Sequence, residues 1–258
     1  MARLYAETEG SGPDVVFLHG LLGSVENWKH IQSQLADRYR VTCIDLPNHG
    51  RSPQQPAFTM RSMADDVAET LATADIKSAA IVGHSLGGKV AMVLATEYTE
   101  LCNALVVVDM TIKRFAPVHL FVLRACRDLP LEKCSRRADL KEQLMHLIAL
   151  DQTCDFALKN VVRDDSGAFT WRIPLDYLID NATVVSDAVP LVSPYEGPTA
   201  FILGGDSPFR VWRDADAIKG WFPAAKFVTV PGAGHLVHTD QPEAFLRELE
   251  TFLSNLNP

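Results

Sequence analysis

The sequence lacks long apolar runs, a targeting segment and a surplus of basic residues. No stretch reaches the roughly 18 uninterrupted apolar residues of a membrane span, and the first residues, MARLYAETEGSGPD, contain no basic segment followed by an apolar one. The net charge is −8, and arginine and lysine are interleaved with aspartate and glutamate, whereas nucleic-acid binding needs a basic stripe. We therefore expect a cytoplasmic protein that binds neither a membrane nor nucleic acid.

Cysteine is also scarce, and its spacing argues against a metal site or a disulfide framework. The cysteines form no C-x-x-C pair, and none has a histidine at metal-ligand spacing. We predict reduced thiols and no bound metal ion. Cys43 or Cys102 as a catalytic nucleophile is the alternative, although free cysteine most often serves as a small buried apolar residue. The full set is Cys43, Cys102, Cys126, Cys134 and Cys154.

What the sequence does contain is an alternation of short β-branched runs and helical patterns. The runs predict strands that are buried on both faces, as in a parallel sheet. Between most of them lie amphipathic patterns such as residues 59–75, where Met63, Val67 and Leu71 recur every four residues. At 258 residues, the alternation predicts one α/β domain with a doubly wound, mostly parallel sheet. The predicted strands are residues 15–18, 41–46, 79–82, 104–109, 199–203 and 226–230.

One interval breaks this alternation. About ninety residues separate the strand that ends at Asp109 from the one that starts at Thr199, too many for a plain crossover. Helical patterns fill the interval, so we predict a helical cap over residues 112–196, inserted into a core of residues 1–111 and 197–258. Such a cap gives an apolar roof to a ligand pocket at the carboxyl ends of the strands, although each aromatic taken alone fits the cap's own core better. The candidate pocket residues are Leu22, Phe115, Phe121, Trp171 and Leu236.

Residues 81–92, IVGHSLGGKVAM, place a serine between glycines where a strand gives way to a helix. The pattern G-x-S-x-G in this context predicts a nucleophile elbow, in which a strained turn lifts the Ser85 hydroxyl clear of the sheet. Side chains at Gly83 and Gly87 would collide with the serine backbone. The amide of Leu86 begins the following helix and can bind a developing oxyanion. A glycine-rich turn without chemistry is the alternative that the pentapeptide alone allows.

A nucleophilic serine needs a general base and a second oxyanion donor. The segment PGAGHLVH follows the last predicted strand, so His235 can reach the elbow, whereas His238 and His84 are expected to be structural. The loop after the first strong strand, FLHGLLGS, offers the amide of Leu21 opposite that of Leu86. We therefore predict His235 as general base and acid, and the two leucine amides as the oxyanion hole.

The motifs HGLLGS, NHGRSP, GHSLGGK, GGDSPF and GAGHLVH together resemble those of the YbfF-type esterases of the α/β-hydrolase superfamily. The resemblance covers residues 15–110 and 199–256 and is weak in the cap. It implies the α/β-hydrolase fold, with the cap between strands six and seven of the superfamily's numbering. It also implies esterase or thioesterase activity on short to medium acyl groups, without a metal or organic cofactor.

Two carboxylates compete for the role of the triad acid. Asp109 ends the strand before the cap and Asp206 follows the strand after it, so both lie near the nucleophile strand in this sheet order. Most superfamily members carry the acid at the position of Asp206. In the resembled family the acid follows strand six, which corresponds to Asp109, and the later position is usually Asn. We expect Asp109 to be the principal acid, with Asp206 as an alternative or supporting one.

These residues together predict a serine carboxylesterase that forms an acyl-enzyme and acts on small acyl esters. An acyl-CoA thioesterase is the first alternative, and Lys113, Arg114 and Arg124 either face such a substrate or belong to a solvated surface. A non-catalytic binding protein on a hydrolase scaffold is the second, although every catalytic role is filled. Dehalogenases and epoxide hydrolases need a carboxylate nucleophile, and the elbow has a serine. We expect a monomer or a homodimer.

Overall fold

The computed structural model describes residues 2–256, and a seven-stranded sheet runs through this part of the chain. The strands in chain order are β1 (Ala6–Glu9), β2 (Asp14–Leu18), β3 (Arg40–Ile44), β4 (Ala79–His84), β5 (Cys102–Val108), β6 (Val161–Arg163), β7 (Phe169–Trp171), β8 (Thr199–Gly204) and β9 (Ala225–Val230). The main sheet has the order β1-β3-β2-β4-β5-β8-β9, and β6 pairs with β7 separately. Its strands are parallel except for β1, which is antiparallel to β3. The predicted doubly wound, mostly parallel sheet is confirmed.

Helices cover both faces of the main sheet. In chain order they are α1 (Lys29–Leu35), α2 (Met60–Thr73), α3 (Leu86–Glu97), α4 (His119–Arg127), α5 (Arg137–Ile148), α6 (Asp151–Leu158), α7 (Leu175–Asp180), α8 (Ala182–Ser186), α9 (Ala215–Lys219), α10 (Val237–Asp240) and α11 (Pro242–Ser254). Helix α2 begins where the Thr59 side chain accepts a hydrogen bond from the Ser62 amide, which satisfies one free donor of the first turn. Helix α11 begins with Pro242, whose missing N–H is not needed there.

Alternate residues of each central strand enter two different apolar clusters. Val16 and Ile81 pack with α2 and α3 on one face, and Phe17 and Val82 pack with α1 and α11 on the other. Strand β4 is buried along its whole length. This explains why the central strands are continuous apolar runs rather than alternating ones, and it places the end of β4 at the centre of the molecule.

The segment between β5 and β8 contains α4 to α8 and the β6–β7 hairpin. Its two ends are joined where it leaves the core, because the Phe115 amide donates to Ser186 O and the Val189 amide donates to Ile112 O, both at 2.9 Å. The segment also contacts the loop after β3, where the Tyr177 hydroxyl donates to Pro56 O at 3.0 Å. Residues 112–196, which we call the cap, therefore reach the carboxyl ends of the strands.

Some elements differ from the sequence-based predictions. Strand β1 was not predicted, because AETE is a half-exposed edge strand without an apolar run. Residues 154–164, CDFALKNVVRD, have one of the helical patterns predicted for the interval before Thr199, but they divide between α6 and β6. Within residues 2–256, every helix is too short or too polar to cross a lipid bilayer. The assignment of the whole chain to one domain, with the cap limits given above, stays a prediction.

Candidate active site

A sharp turn connects β4 to α3, and Ser85 lies at its centre. Its backbone has φ 53° and ψ −116°, which L residues rarely adopt. A Cβ atom on Gly83 would lie 2.2 Å from the Gly87 carbonyl oxygen, so only glycine fits there. A Cβ atom on Gly87 would lie 2.4 Å from the Leu18 carbonyl oxygen of β2. The requirement for glycine at position 87 therefore comes from the neighbouring strand, and at position 83 it comes from the start of the following helix. The sequence-based explanation, a collision with the serine backbone, was wrong for both positions.

Three side chains from distant parts of the chain form a hydrogen-bonded series. Ser85 Oγ lies 3.0 Å from His235 Nε2, and His235 Nδ1 lies 2.7 Å from Asp109 Oδ2. Asp109 is 1% exposed, and the His235 side chain is 26% exposed. Because the carboxylate accepts a hydrogen bond from Nδ1, the neutral imidazole presents an unprotonated Nε2 to the serine hydroxyl. This arrangement lets His235 remove the proton of Ser85.

Hydrogen bonds to core residues fix both the backbone and the carboxylate of Asp109. Its backbone has φ 48°, and its amide donates to Ile202 O at 3.0 Å. One carboxylate oxygen accepts the Gly204 amide at 3.1 Å, and the other accepts the Ser207 hydroxyl at 2.5 Å in addition to His235. A carboxylate with this many donors stays oriented toward the imidazole.

The structure does not bring Asp206 to the imidazole. Its side chain is exposed, and within residues 2–256 it forms no side-chain hydrogen bond or ion pair. Its backbone amide donates to Ala233 O at 2.9 Å, which ties the loop after β8 to the loop that carries His235. The loop turns so that the next side chain, Ser207, faces Asp109. A supporting carboxylate at position 206 is therefore not part of this geometry.

The loop after β2, residues 19–24, forms a tight turn beside the elbow, and we call it the oxyanion loop. The Gly23 amide donates to Gly20 O at 2.9 Å, and the third turn residue, Leu22, has φ 63°. In the described part of the chain, neither the Leu21 amide nor the Leu86 amide donates to a protein atom. Both N–H groups are therefore available to an external acceptor. A Cβ atom on Gly20 would lie 3.1 Å from the Ser85 Cβ, so the loop approaches the serine closely.

Buried, uncharged histidines surround the elbow. His84 Nε2 donates to the backbone oxygen of His235 at 2.9 Å, and burial together with the nearby His235 and His238 imidazoles holds the pKa of His84 well below its usual range. Burial also lowers the pKa of His238 to about 3 and that of His19 to about 4. His19 donates from Nδ1 to Gly20 O and accepts the Leu46 amide at Nε2. These histidines brace the loops and are not placed to act as the base.

Aromatic side chains form a wall beside His235. The ring of Phe209 lies 4.4 Å from the His235 ring, centroid to centroid, and Phe115 of the cap meets Phe209 edge to face at 5.1 Å. Both phenylalanines line a cavity of about 370 Å³ between the start of the cap and the loop after β8. A larger cavity of about 800 Å³ lies at the opposite edge of the sheet, where the strands begin, and it is remote from Ser85.

The other candidate pocket residues differ in their surroundings. Leu22 is buried in the oxyanion loop, and Leu236 is half-buried beside His235. Trp171 is half-buried against the main apolar cluster, and its indole N–H has no hydrogen-bond partner in residues 2–256. Phe121 is 57% exposed on α4 and lines neither of the two cavities, so the structure does not support its assignment to a substrate pocket.

The cysteines are free, and those proposed as alternative nucleophiles are buried. Burial raises the pKa of the Cys102 thiol to about 12, and it raises that of Cys43 further. A buried thiol that stays protonated is a poor nucleophile. Among residues 2–256, no group of three or more histidine, cysteine, aspartate or glutamate side chains is arranged to hold a metal ion.

Comparisons with known proteins identify the family. A profile described as the alpha/beta hydrolase fold matches residues 13–130. The sn-1-specific diacylglycerol lipase ABHD11 of Mus musculus is 33% identical over 252 residues, which cover 94% of this chain and 81% of the relative. The chain belongs to the α/β-hydrolase superfamily. Esterase YbfF of Escherichia coli is 28% identical over 97% of this hydrolase and 96% of its own length, so the resemblance to YbfF-type esterases is confirmed.

A solved structure agrees with this assignment. A marine microorganism esterase superposes on the hydrolase with a TM-score of 0.94 at 32% identity, covering 98% of this chain and 100% of the other. Sequence reasoning missed two contacts of this hydrolase. Ser207 donates to Asp109, and the motif GGDSPF contained that residue without indicating its role. Asn160 of the cap donates to the oxyanion loop, and no signal in the sequence indicated it.

Proposed function

We propose that this hydrolase is a serine carboxylesterase that cleaves short- to medium-chain acyl esters through an acyl-enzyme. The hydrogen-bonded series from Ser85 through His235 to Asp109 is the observation that carries the proposal. The amides of Leu21 and Leu86 beside the serine, which donate to no atom of residues 2–256, also support it. The relatives named esterase and lipase support the same class of substrate.

The reaction begins when His235 Nε2 takes the proton of Ser85 and the serine oxygen attacks the ester carbonyl carbon. The carbonyl oxygen becomes an oxyanion, and the Leu21 and Leu86 amides donate to it. Asp109 stabilises the positive charge of the imidazolium and keeps Nδ1 in the donating orientation. His235 then gives the proton to the departing alkoxide, so the alcohol leaves and the acyl group remains on Ser85.

Water completes the cycle on the acyl-enzyme. His235 Nε2 removes a proton from a water molecule, whose oxygen attacks the acyl carbon, and the same two amides hold the second oxyanion. The intermediate collapses, the serine oxygen takes the proton back from His235, and the carboxylic acid is released. Both halves of the cycle therefore use the same base and the same two amide donors.

The charges around the cavity favour an ester over an acyl-CoA. Lys113 pairs with Asp214 at 2.7 Å, and Arg114 pairs with Asp187 at 2.7 Å. The neighbouring carboxylates offset part of the positive potential that the phosphates of coenzyme A would meet there. The apolar wall of Phe115 and Phe209 is suited to an alkyl chain.

Ser85→Ala tests the proposal directly. We expect a folded protein whose turnover of p-nitrophenyl esters is reduced by about 10⁴-fold or more, because the nucleophile is absent. A fluorophosphonate probe should label the wild type and leave the variant unlabelled, as read by intact-protein mass spectrometry. The exposed Ser33 of α1, changed to Ala, is the matched control and should keep both activity and labelling.

Two results would reject the serine mechanism: a folded Ser85→Ala protein with normal turnover, or wild-type protein that the probe does not label. The same assay should include p-nitrophenyl esters from acetate to decanoate beside acyl-CoA thioesters. Faster kcat/KM on an acyl-CoA than on every ester would assign the hydrolase to thioesters instead. Absence of turnover on all of them, with no labelling, would favour a binding protein.

A further inference from the structure

The oxyanion loop contains a residue in an unfavourable backbone conformation. Leu22 has φ 63°, in the left-handed region that glycine adopts easily and branched or bulky side chains adopt at a cost. It occupies the third position of the turn closed by the Gly23 amide on Gly20 O, where turns with a left-handed residue usually have glycine or asparagine. The Leu22 side chain is buried in the main apolar cluster, and its backbone carbonyl has a further contact outside the turn.

The outside contact comes from the cap. Asn160 lies between α6 and β6, and its side-chain nitrogen donates to Leu22 O at 2.7 Å and to Ala157 O at 3.2 Å. Both neighbours are carbonyl oxygens, so the amide group must present its nitrogen to them. Asn160 is 4% exposed, and its own backbone is fixed by the hairpin, since the Arg172 amide donates to Asn160 O at 2.9 Å. The donor is therefore rigid and buried.

We propose that Asn160 is a positioning residue through which the cap holds the oxyanion loop in its competent conformation. Its hydrogen bond fixes the peptide after Leu22, and the strained Leu22 in turn fixes the direction of the Leu21 amide, which belongs to the same turn. When the cap moves away to admit a substrate, the bond is lost and the turn can relax to a negative φ. The Leu21 amide then no longer points beside Ser85. Closure of the cap completes the oxyanion hole.

This inference rests on the proposed function. It predicts a kinetic effect that a purely structural role of Asn160 would not produce. If Asn160 served only to end α6, through its second bond to Ala157 O, its loss would lower stability and leave the kinetic constants of folded enzyme unchanged. If it holds the oxyanion loop, its loss lowers kcat, because oxyanion contacts strengthen in the transition state. KM stays nearly constant, since substrate binding does not use that contact.

The main variants are Asn160→Ala and Asn160→Leu, and the latter fills the side-chain volume without a donor. We expect kcat on a p-nitrophenyl ester to fall about 10-fold, with KM changed by less than about 2-fold, which is the effect of one lost positioning hydrogen bond. Affinity for a trifluoromethyl ketone, whose adduct carries an oxyanion, should fall in parallel. The pH at half-maximal kcat/KM should not move, because His235 and Asp109 are untouched.

Leu22→Gly gives a sharper test through the backbone. Glycine adopts φ 63° without strain, so no backbone strain remains at position 22 for the cap contact to oppose. In the Leu22→Gly background, Asn160→Ala should reduce kcat by only about 3-fold or less, although Leu22→Gly alone lowers stability because its buried side chain is lost. Asn181→Ala is the matched control, because Asn181 donates to Tyr177 O at 2.9 Å within the cap and does not contact the loop.

Several results would overturn the inference. These are an unchanged kcat in folded Asn160→Ala or Asn160→Leu, an equal loss in the Asn181→Ala control, or the same loss from Asn160→Ala with and without Leu22→Gly. Unfolding curves of every variant show which of them are folded, and Asn160→Leu replaces Asn160→Ala if the smaller side chain prevents folding. A wild type that neither hydrolyses esters nor reacts with fluorophosphonate would refute the proposed function, and this inference would fail with it. Normal wild-type hydrolysis with unaffected Asn160 variants would refute only the inference.

Discussion

The two halves of the proposed active site are held by different parts of the chain. The base and acid half is held by the core: Asp109 directly follows β5, its carboxylate accepts from Gly204 at the end of β8 and from Ser207 just after it, and His235 follows β9. The oxyanion half has only one of its amides, that of Leu86, on a core helix, and the other lies in a loop that a cap side chain holds. The groups that move protons are therefore held by the core alone, whereas the loop beside them is held by the core through His19 and by the cap through Asn160.

The residues with positive φ show the same contrast between support from the core and support from the cap. Ser85 and Asp109 have positive φ, and each is fixed by a strand, since the Ser85 amide donates to Val108 O at 3.2 Å and the Asp109 amide to Ile202 O at 3.0 Å. Leu22 also has positive φ, but it lies within a loop turn. The sheet hydrogen bonds do not involve the cap. In the proposal above, the strain at Leu22 is opposed by the bond from Asn160, which a movement of the cap would break.

The largest expected effect concerns the core half. Asp109→Asn keeps the shape of the side chain but removes the charge that stabilises imidazolium, and it favours the wrong tautomer of His235. We expect kcat to fall by about 10⁴-fold, as for the equivalent change in serine proteases. Asp206→Asn changes an exposed carboxylate without a contact to the imidazole, so its effect on kcat should be less than about 3-fold.

Steady-state kinetics of the two variants on one p-nitrophenyl ester decide between the carboxylates. A thermal unfolding curve of each variant checks that the fold is retained. A greater loss for Asp206→Asn than for Asp109→Asn would show that the acid follows β8 in solution, and the core half would then be held differently from what its hydrogen bonds indicate.

The features that could be predicted from the sequence belong mainly to the core. The strands and the elbow are specified locally: apolar β-branched runs are buried on both faces, and Gly83, Ser85 and Gly87 lie at fixed spacing after one of them. Since parallel strands end at the same edge of the sheet, His235 and Asp109 could be expected near Ser85 without knowing the packing. Their catalytic roles stay predictions.

The remaining contacts depend on long-range packing that no short pattern specifies. Which of Asp109 and Asp206 faces His235 is decided by the turn after Gly204, which directs Ser207 inward and Asp206 to solvent. The bond from Asn160 to Leu22 joins residues 138 positions apart and depends on where the cap lies. Phe115 and Phe121 were both predicted to line the pocket because they are aromatic residues of the cap, yet only Phe115 packs against the main apolar cluster, while Phe121 is exposed.

The next test concerns Lys89, a buried lysine of α3 that contacts the cap. Lys89 of α3 is fully buried, donates to Asp187 O at the end of the cap, and has its ammonium 4.6 Å from the centre of the Phe115 ring. Burial lowers its pKa to about 8, below the ordinary value of 10.5. The folded state therefore binds fewer protons than the unfolded state between these two values, and the free energy of unfolding rises with pH in that window.

Lys89→Met removes the titrating group and keeps the length of the side chain. The free energy of unfolding of the wild type, relative to Lys89→Met, should increase by about 2 kcal/mol between pH 8 and pH 10. Urea unfolding of both proteins at each pH gives this difference, and groups that titrate equally in both proteins cancel. A difference independent of pH would mean that Lys89 is solvated, and hence that the cap is open at this junction in solution.

The smallest expected effect concerns His238, a buried histidine of α10, which follows the loop that carries His235. His238 stacks on Trp28 at 4.2 Å, its Nδ1 has no partner in residues 2–256, and burial lowers its pKa to about 3. Its contribution to stability is complete above the unfolded pKa of about 6.5 and is lost as the pH falls toward 3, because the unfolded state takes up the proton first.

The variant His238→Phe keeps an aromatic ring at this position and removes the titrating imidazole. Between pH 6.5 and pH 5.5 the wild type should lose about 1 kcal/mol relative to this variant in urea unfolding. Equal losses in the two proteins would show that His238 takes up the proton in the folded state as readily as in the unfolded state.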